Sequence, residues 1–181
     1  MAGASHYILD LPKFDTAPRL LIVVAPYYKE IADNLVAGAK AEAEKAGAYV
    51  DIVEVPGALE IPSAIAMAAR MADYDGFVAL GCVIRGETTH YDTVCNDSSR
   101  GLTLLGLEGT CIGNGILTVE NYEQAAVRAD PAEQNKGGGA AAAALHLISL
   151  SRKWARRTKG IGFKPAESFR IAGETDGSES A

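Results

Sequence analysis

Apolar residues along the chain follow two patterns, short unbroken runs and longer stretches with helical spacing. The run Arg19–Ala25 is unbroken and rich in β-branched residues, as expected for a strand that is covered on both faces. Further strands are predicted at Tyr49–Val55, Phe77–Val83 and Cys111–Leu117. The glycines within the last of these runs indicate that a ligand or another backbone comes close there.

Helical spacing fills the stretches that separate the predicted strands. Helices are predicted at Lys29–Ala46, around Leu59–Ala69, and at Thr89–Glu108, Glu120–Ala129 and Gly138–Arg156. Gly47 follows the first helix, where a C-terminal cap is expected. Because strands alternate with helices throughout, the pattern predicts an α/β fold, a three-layer sandwich around a mainly parallel four-stranded sheet.

Length and composition fit one domain with a sizeable core. The chain has 181 residues, of which 48% are hydrophobic. We assign residues 1–18 to an N-terminal arm, residues 19–157 to the α/β domain and residues 158–181 to a flexible C-terminal tail with an acidic end. The net charge of -6 argues against nucleic acid as a partner, since a polyanionic backbone selects for basic protein surfaces.

Targeting signals and cysteine spacing bear on where the protein works. The sequence has no signal-peptide pattern, and it lacks the apolar run of about 18 residues that a membrane helix requires, which predicts a cytoplasmic protein without membrane contact. Cys82, Cys95 and Cys111 are an odd number of cysteines without C-x-x-C spacing. We expect them to be reduced thiols rather than metal ligands or disulfides.

The loops that follow the predicted strands are the expected place for a ligand, because open parallel sheets bind ligands beyond the carboxyl ends of their strands. These loops should form one crevice from Pro26–Tyr28, Pro56–Ala58, Arg85–His90 and Asn114–Gly115.

The segment that follows the third strand carries the most informative chemistry. Gly86 permits a sharp turn, and Thr88 or Thr89 is expected to cap the next helix. Backbone amides at such a helix start form an anion site, with the side chain of Glu87 turned away. An ordinary strand-to-helix turn is the alternative. His90 follows directly and can act as a general acid or base, or merely pack or cap.

Further polar and aromatic residues near the strand ends each have a functional and a structural interpretation. Arg128 and Lys136 can bind phosphate or be solvated charges, and Arg128 also suits the end of its predicted helix. The three glycines after Lys136 let the backbone approach a ligand or a neighbouring subunit. Glu60 can bind a polyol or stabilise a helix N-terminus. Tyr27 and Tyr28 can stack on a flat ring or pack in the core.

The order and spacing of these segments resemble the lumazine synthase family over roughly Arg19 to Trp154, whereas Walker, G-x-G-x-x-G and G-x-S-x-G motifs are absent from the sequence. The matching segments are Val55–Pro62, Gly81–His90, Asn114–Thr118, Glu123–Ala125, Arg128 and Asn135–Gly137.

The resemblance implies a flavodoxin-like sandwich that assembles into pentamers or multiples of them, with active sites between adjacent subunits. It implies condensation of 5-amino-6-ribitylaminouracil with 3,4-dihydroxy-2-butanone 4-phosphate in riboflavin biosynthesis. The products are 6,7-dimethyl-8-ribityllumazine, phosphate and water, and no metal or organic cofactor takes part. A non-catalytic flavin- or lumazine-binding protein, or a shell-forming protein on the same fold, is the alternative.

The resemblance also assigns a role to each matching position. His90 matches the proton-transfer residue. The substrate-binding positions are Tyr27, Ala58, Leu59, Glu60, Cys82, Val83, Ile84 and Asn114, and the phosphate-binding positions are Glu87, Thr88, Arg128 and Lys136. Of these, Asn114, Arg128 and Lys136 match positions that the neighbouring subunit contributes. Tyr27, Tyr28 and Asn114 depart from the residues that are usual in the family, which affects the expected affinity for the aromatic substrate.

Overall fold

The structure of the protein, a computed structural model, describes residues 9–158, in which four strands alternate with five helices. The strands are β1 (Arg19–Val24), β2 (Tyr49–Glu54), β3 (Gly76–Ile84) and β4 (Ile112–Val119). The helices are α1 (Lys29–Lys45), α2 (Glu60–Met71), α3 (His90–Leu107), α4 (Tyr122–Ala129) and α5 (Lys136–Thr158). The predicted α/β class is therefore confirmed.

The strands form one sheet in the order β2-β1-β3-β4, and every neighbouring pair is parallel. From β1 the chain first turns to β2 on one side and then crosses to β3 on the other side. Sheets of this flavodoxin-like kind bind ligands at such a switch point, outside the carboxyl ends of the strands. The topology therefore predicts a binding site at the ends of β1 and β3.

Helices cover both faces of the sheet, because successive side chains of a strand point to opposite faces. Leu20 and Ile22 of β1 pack with α1, α4 and α5. Leu21 and Val23 pack with α2 and α3 on the other face. β1 is thus buried on both sides, as predicted, whereas β2 is an edge strand with mostly exposed residues.

Glycines allow α5 to lie unusually close to its neighbours. A Cβ on Gly113 would stand 1.8 Å from the carbonyl oxygen of Ala140, and one on Gly115 would stand 3.0 Å from the Cβ of Ala140. A Cβ on Gly137 would stand 2.0 Å from the carbonyl oxygen of Leu35 in α1. The sequence predicted that a ligand or another part of the backbone comes close to these glycines. In the structure, backbone and side-chain atoms of the same chain do so.

Asparagine caps set the starts of the last two helices. α4 begins two residues later than predicted, because the Oδ1 of Asn121 accepts a hydrogen bond from the amide of Gln124 at 2.9 Å. α5 begins two residues earlier than predicted, at Lys136, because the Oδ1 of Asn135 accepts one from the amide of Gly138 at 3.0 Å. Lys136 is therefore the first residue of a helix rather than part of a loop.

The described part of the N-terminal arm lies against α5. Phe14 packs on the core, and the Nη1 of Arg152 donates a hydrogen bond to the carbonyl oxygen of Thr16 at 2.6 Å. The tail predicted for residues 158–181 lies outside the described residues, apart from its first residue, which ends α5. Across residues 9–158 the structure has no helix that is both long and apolar enough to cross a membrane.

Candidate active site

A crevice with a volume of about 450 Å³ opens at the carboxyl ends of β1, β2 and β3, at the switch point of the sheet. Its volume is in the range that proteins use for small organic ligands. The lining residues are Ala25, Tyr27, Tyr28, Pro56, Gly57, Ala58, Leu59, Glu60, Cys82, Val83, Ile84, Gly86, Thr88, His90, Tyr91 and Val94. Three of the four loops that were predicted to meet do so.

The start of α3 borders the crevice and can hold an anion. The first amides of a helix have no acceptor within the helix, and in α3 the amide of Asp92 donates to the carbonyl oxygen of Thr89 at 3.1 Å, which leaves those of His90 and Tyr91. Thr89, one of the two predicted positions, is the N-cap residue, but it has a helical conformation and its side chain makes no cap hydrogen bond. Because no threonine hydroxyl accepts a hydrogen bond from them, the free amides at the start of α3 can bind a negatively charged group.

The loop between β3 and α3 presents its backbone rather than its charge to the crevice. Gly86 and Thr88 line the crevice, and Glu87 between them is not a lining residue, which fits the expected outward orientation of its carboxylate. Gly86 has no positive φ, and a Cβ there would meet no atom within 4 Å. The chain bends directly after Gly86, at Glu87 and Thr88, without the left-handed backbone conformation that requires glycine.

Three exposed side chains supply the crevice with functional groups. His90 and Glu60 are the first residues of α3 and α2, so their imidazole and carboxylate lie at the mouth. Tyr27 is 75% exposed and meets the half-buried ring of Tyr28 edge-on at a centroid distance of 5.1 Å. Core packing is thus wrong for Tyr27, whose ring is free to stack on a planar ligand, and fits Tyr28.

The end of β3 forms the floor of the crevice, from Cys82 to Ile84. Burial raises the pKa of the Cys82 thiol to about 11. At neutral pH this thiol is protonated and is therefore a poor nucleophile. Cys82, Cys95 and Cys111 are all free, as predicted.

Alkaline pH should destabilise the protein through Cys82. Unfolding returns the pKa of the thiol from about 11 to its ordinary 9.0, so the unfolded chain releases this proton first. The resulting stability is complete below pH 9 and falls by about 2 kcal/mol as the pH rises towards 11. Urea unfolding at pH 8 and pH 10.5 should show a larger loss for the wild type than for Cys82→Ala. Equal losses would contradict the raised pKa.

Asn114 lies away from the crevice of its own chain, so the predicted position of Asn114–Gly115 is wrong for a single subunit. β4 continues to Val119, and Asn114 pairs with Ala79 in the middle of β3. The Oδ1 of Asn114 accepts a hydrogen bond from the amide of Ile116 at 3.0 Å. Asn114 lines a second cavity, of about 460 Å³, between α3 and α5.

The two predicted phosphate-binding cations also lie outside the crevice lining of their own chain. Arg128 is in the last turn of α4, where its Nη1 donates a hydrogen bond to the carbonyl oxygen of Gln124 at 3.0 Å. That contact fits the helix-end interpretation of Arg128. Lys136 is exposed at the start of α5, where the helix dipole disfavours a cation. Stabilisation of helix α5 therefore does not explain why a lysine stands at position 136.

Sequence reasoning missed Tyr91 and Val94, which line the crevice from the first turns of α3. Val94 is four residues after His90 and so shares its face of the helix, a spacing that could have indicated it. The ring of Tyr91 lies 4.0 Å from the guanidinium carbon of Arg85. Nothing in the local spacing indicated this contact, because the side chain of Arg85 turns back over the helix.

A parallel sheet of this order, with acid–base groups and a helix start at its switch point, is typical of flavodoxin-like α/β enzymes. Comparison with known proteins is more specific. The sequence profile described as 6,7-dimethyl-8-ribityllumazine synthase matches residues 17–152. The chain belongs to the 6,7-dimethyl-8-ribityllumazine synthase family.

Several curated relatives carry the same name. A 6,7-dimethyl-8-ribityllumazine synthase of Jannaschia sp. (strain CCS1) is 52% identical over 181 residues, which is 100% of both chains. One of Novosphingobium aromaticivorans is 56% identical over 136 residues, covering 75% of this chain and 98% of the relative. One of Agrobacterium fabrum is 58% identical over 142 residues, covering 75% and 96%. Identity at this level over the whole domain supports a shared activity.

Proposed function

We propose that this protein is a 6,7-dimethyl-8-ribityllumazine synthase of riboflavin biosynthesis. It would condense 5-amino-6-ribitylaminouracil with 3,4-dihydroxy-2-butanone 4-phosphate and release phosphate and water. The observation that carries the proposal is the crevice at the switch point, where His90 lies together with most of the predicted substrate-binding residues. Membership of the family supports the same reaction.

Each wall of the crevice suits one part of the two substrates. The exposed ring of Tyr27 offers a face for the pyrimidine, and the backbone of Cys82–Ile84 can hydrogen-bond its edge. The segment Ala58–Glu60 is placed for the ribityl chain, whose hydroxyl groups can donate to the carboxylate of Glu60. The amides of Glu87 and Thr88, with the start of α3, suit the phosphate.

The chemistry needs positioning more than a strong nucleophile. The steps are imine formation, loss of phosphate, rearrangement of an enol and ring closure by a second condensation. Holding both substrates in reactive geometry can lower the barrier by several kcal/mol. The protonated Cys82 thiol at the crevice floor fits a reaction without covalent catalysis. His90 is the lining residue whose imidazole can act as general acid or base.

We further propose that the site is completed by a neighbouring subunit in a cytoplasmic homo-oligomer, a pentamer or a multiple of it. Asn114, Arg128 and Lys136 lie outside the crevice lining of their own chain, and would complete the crevice of the next subunit. Large apolar side chains on α2 and α3 support an interface, since Met71 is 83% and Leu107 is 81% exposed. The isolated subunit should therefore be inactive.

A product assay tests the proposed reaction. The full-length protein is incubated with both substrates, and formation of the lumazine and release of phosphate are followed together, with native mass measured in parallel. We expect one phosphate per lumazine and an oligomer as the active species. Absence of lumazine, with both substrates intact, would overturn the proposed function.

Replacement of Arg128 by alanine should weaken binding of the phosphorylated substrate. Loss of a charge-assisted contact to phosphate is expected to raise KM for the butanone phosphate about tenfold or more. KM for the pyrimidine should change by less than about twofold, because that substrate carries no phosphate. The matched control is Arg100→Ala. It removes an exposed arginine whose Nη2 lies 4.0 Å from the Oδ1 of Asp97. A normal KM for the butanone phosphate would remove Arg128 from the site.

A further inference from the structure

Arg85 directly precedes the proposed phosphate loop, yet its guanidinium group is held by other residues. Its Nε donates to the Oε2 of Glu120 at 2.9 Å, and its Nη1 donates to the Oδ1 of Asp92 at 3.4 Å. Its guanidinium carbon lies 4.0 Å from the ring centroid of Tyr91. We call these four residues the Arg85 clamp. The guanidinium group of Arg85 is thus bonded to two carboxylates and lies over one aromatic ring.

The Arg85 clamp joins three segments that surround the loop. The backbone N–H of Arg85 donates to the carbonyl oxygen of Val119 at 2.9 Å, which fixes the end of β3 to the end of β4. Glu120 follows β4 directly, and the other two members of the clamp lie in the first turn of α3. The segment Gly86–His90 is therefore held at both ends by one side chain.

The members of the Arg85 clamp are exposed, so we expect the clamp to affect the geometry of the loop rather than the stability of the fold. The side chains of Arg85, Asp92 and Glu120 are 42%, 55% and 58% exposed. Exposed ion pairs contribute little to the free energy of unfolding. A planar guanidinium that is stacked on a ring and bonded to two carboxylates nevertheless has a defined direction. Loss of the clamp should therefore change the loop more than the stability of the fold.

We propose that Arg85 is a positioning residue, which acts through the Arg85 clamp to hold the amides of the phosphate loop and the imidazole of His90 in reactive geometry. This inference rests on the proposed function of the crevice and adds a role to a residue outside its lining. Arg85 would contact neither substrate.

The competing possibility is that Arg85 leaves its carboxylate partners and binds the phosphate itself. The two possibilities predict different effects of a substitution at Glu120, the member of the clamp that follows β4. Glu120→Gln keeps the shape of the side chain and removes its charge. It should impair an enzyme that needs the clamp, and it should leave unchanged or improve an enzyme in which Arg85 must be released.

Steady-state kinetics of Arg85→Met, Glu120→Gln and the double variant test the role. We expect each single variant to lower kcat, by about tenfold for Arg85→Met, and the double variant to be no slower than Arg85→Met, because both changes open one clamp. Thermal midpoints should stay close to that of the wild type. Full activity of Glu120→Gln, or a rise only in KM for the butanone phosphate in Arg85→Met, would overturn the proposal.

Titration of the full-length protein with inorganic phosphate gives a second measurement that does not depend on the reaction. Both single variants should weaken phosphate binding by a similar factor, and Arg100→Met should leave it unchanged. If the wild type forms no lumazine, the proposed function is wrong, and the titration still tests whether the Arg85 clamp holds the phosphate loop. Weakening by Arg85→Met alone, or the absence of phosphate binding to the wild type, would contradict the clamp.

Discussion

His90→Ala should lower kcat about 100-fold, with KM values close to those of the wild type. Proton transfer by a positioned side chain contributes roughly this factor or more. His90 is the histidine among the residues that line the crevice, and its imidazole is exposed at the start of α3. Glu60, at the start of α2, is a carboxylate, and the crevice lining offers no second imidazole to take over from His90. Steady-state rates with both substrates saturating give the measurement.

The stability of His90→Ala serves as its control. Alanine is a good helix former, and an exposed first position of a helix tolerates it, so the thermal midpoint should hardly change. A loss of kcat at unchanged midpoint locates the effect in the chemistry. Unchanged turnover would remove His90 from proton transfer and leave it as a residue of the helix start.

Gly113→Ala should cost about 3 kcal/mol of stability, because the core has no room for its methyl group. The added Cβ would stand 1.8 Å from the carbonyl oxygen and 2.7 Å from the carbonyl carbon of Ala140, and 3.2 Å from the amide nitrogen of Ala144. These are backbone atoms of α5, so no side-chain rotation relieves the clash. The whole helix must move from the sheet. Urea or thermal unfolding of the two proteins measures the loss.

Gly139→Ala provides the matched control on α5 itself. A Cβ on Gly139 would meet no atom within 4 Å, and alanine favours helix over glycine by about 0.5–1 kcal/mol. This variant should therefore be as stable as the wild type or more stable. An equal stability of Gly113→Ala and the wild type would show that α5 does not lie on β4 as described.

Most of the fold could be predicted because its signals are local. The unbroken run of β1, the helical spacing of α1 and the glycine after it each depend on neighbouring residues, and Gly47 does adopt a positive φ of 71°. The end of β4 was missed because it depends on pairing across the sheet. Thr118 and Val119 extend the strand opposite Val83 and Ile84, which local spacing does not show.

The site divides in the same way. Residues in strand-end loops, such as Tyr27 and Thr88, lie at the crevice because a parallel sheet brings those loops together. Asn114 was placed there wrongly, since it lies inside β4 rather than after it. The partners of Arg85 were also beyond prediction, because Glu120 follows a different strand. Contacts between distant segments depend on packing that periodicity does not encode.

Complementation between two impaired variants tests directly whether adjacent subunits share one active site. His90→Ala and Arg128→Ala are co-expressed, and native mass confirms that mixed assemblies form. About a quarter of the interfaces in a randomly mixed ring would join an intact His90 to an intact Arg128. Activity should therefore recover to about a quarter of the wild-type rate at limiting butanone phosphate. Activity no higher than the mean of the two variants, in assemblies shown to be mixed, would contradict the shared site.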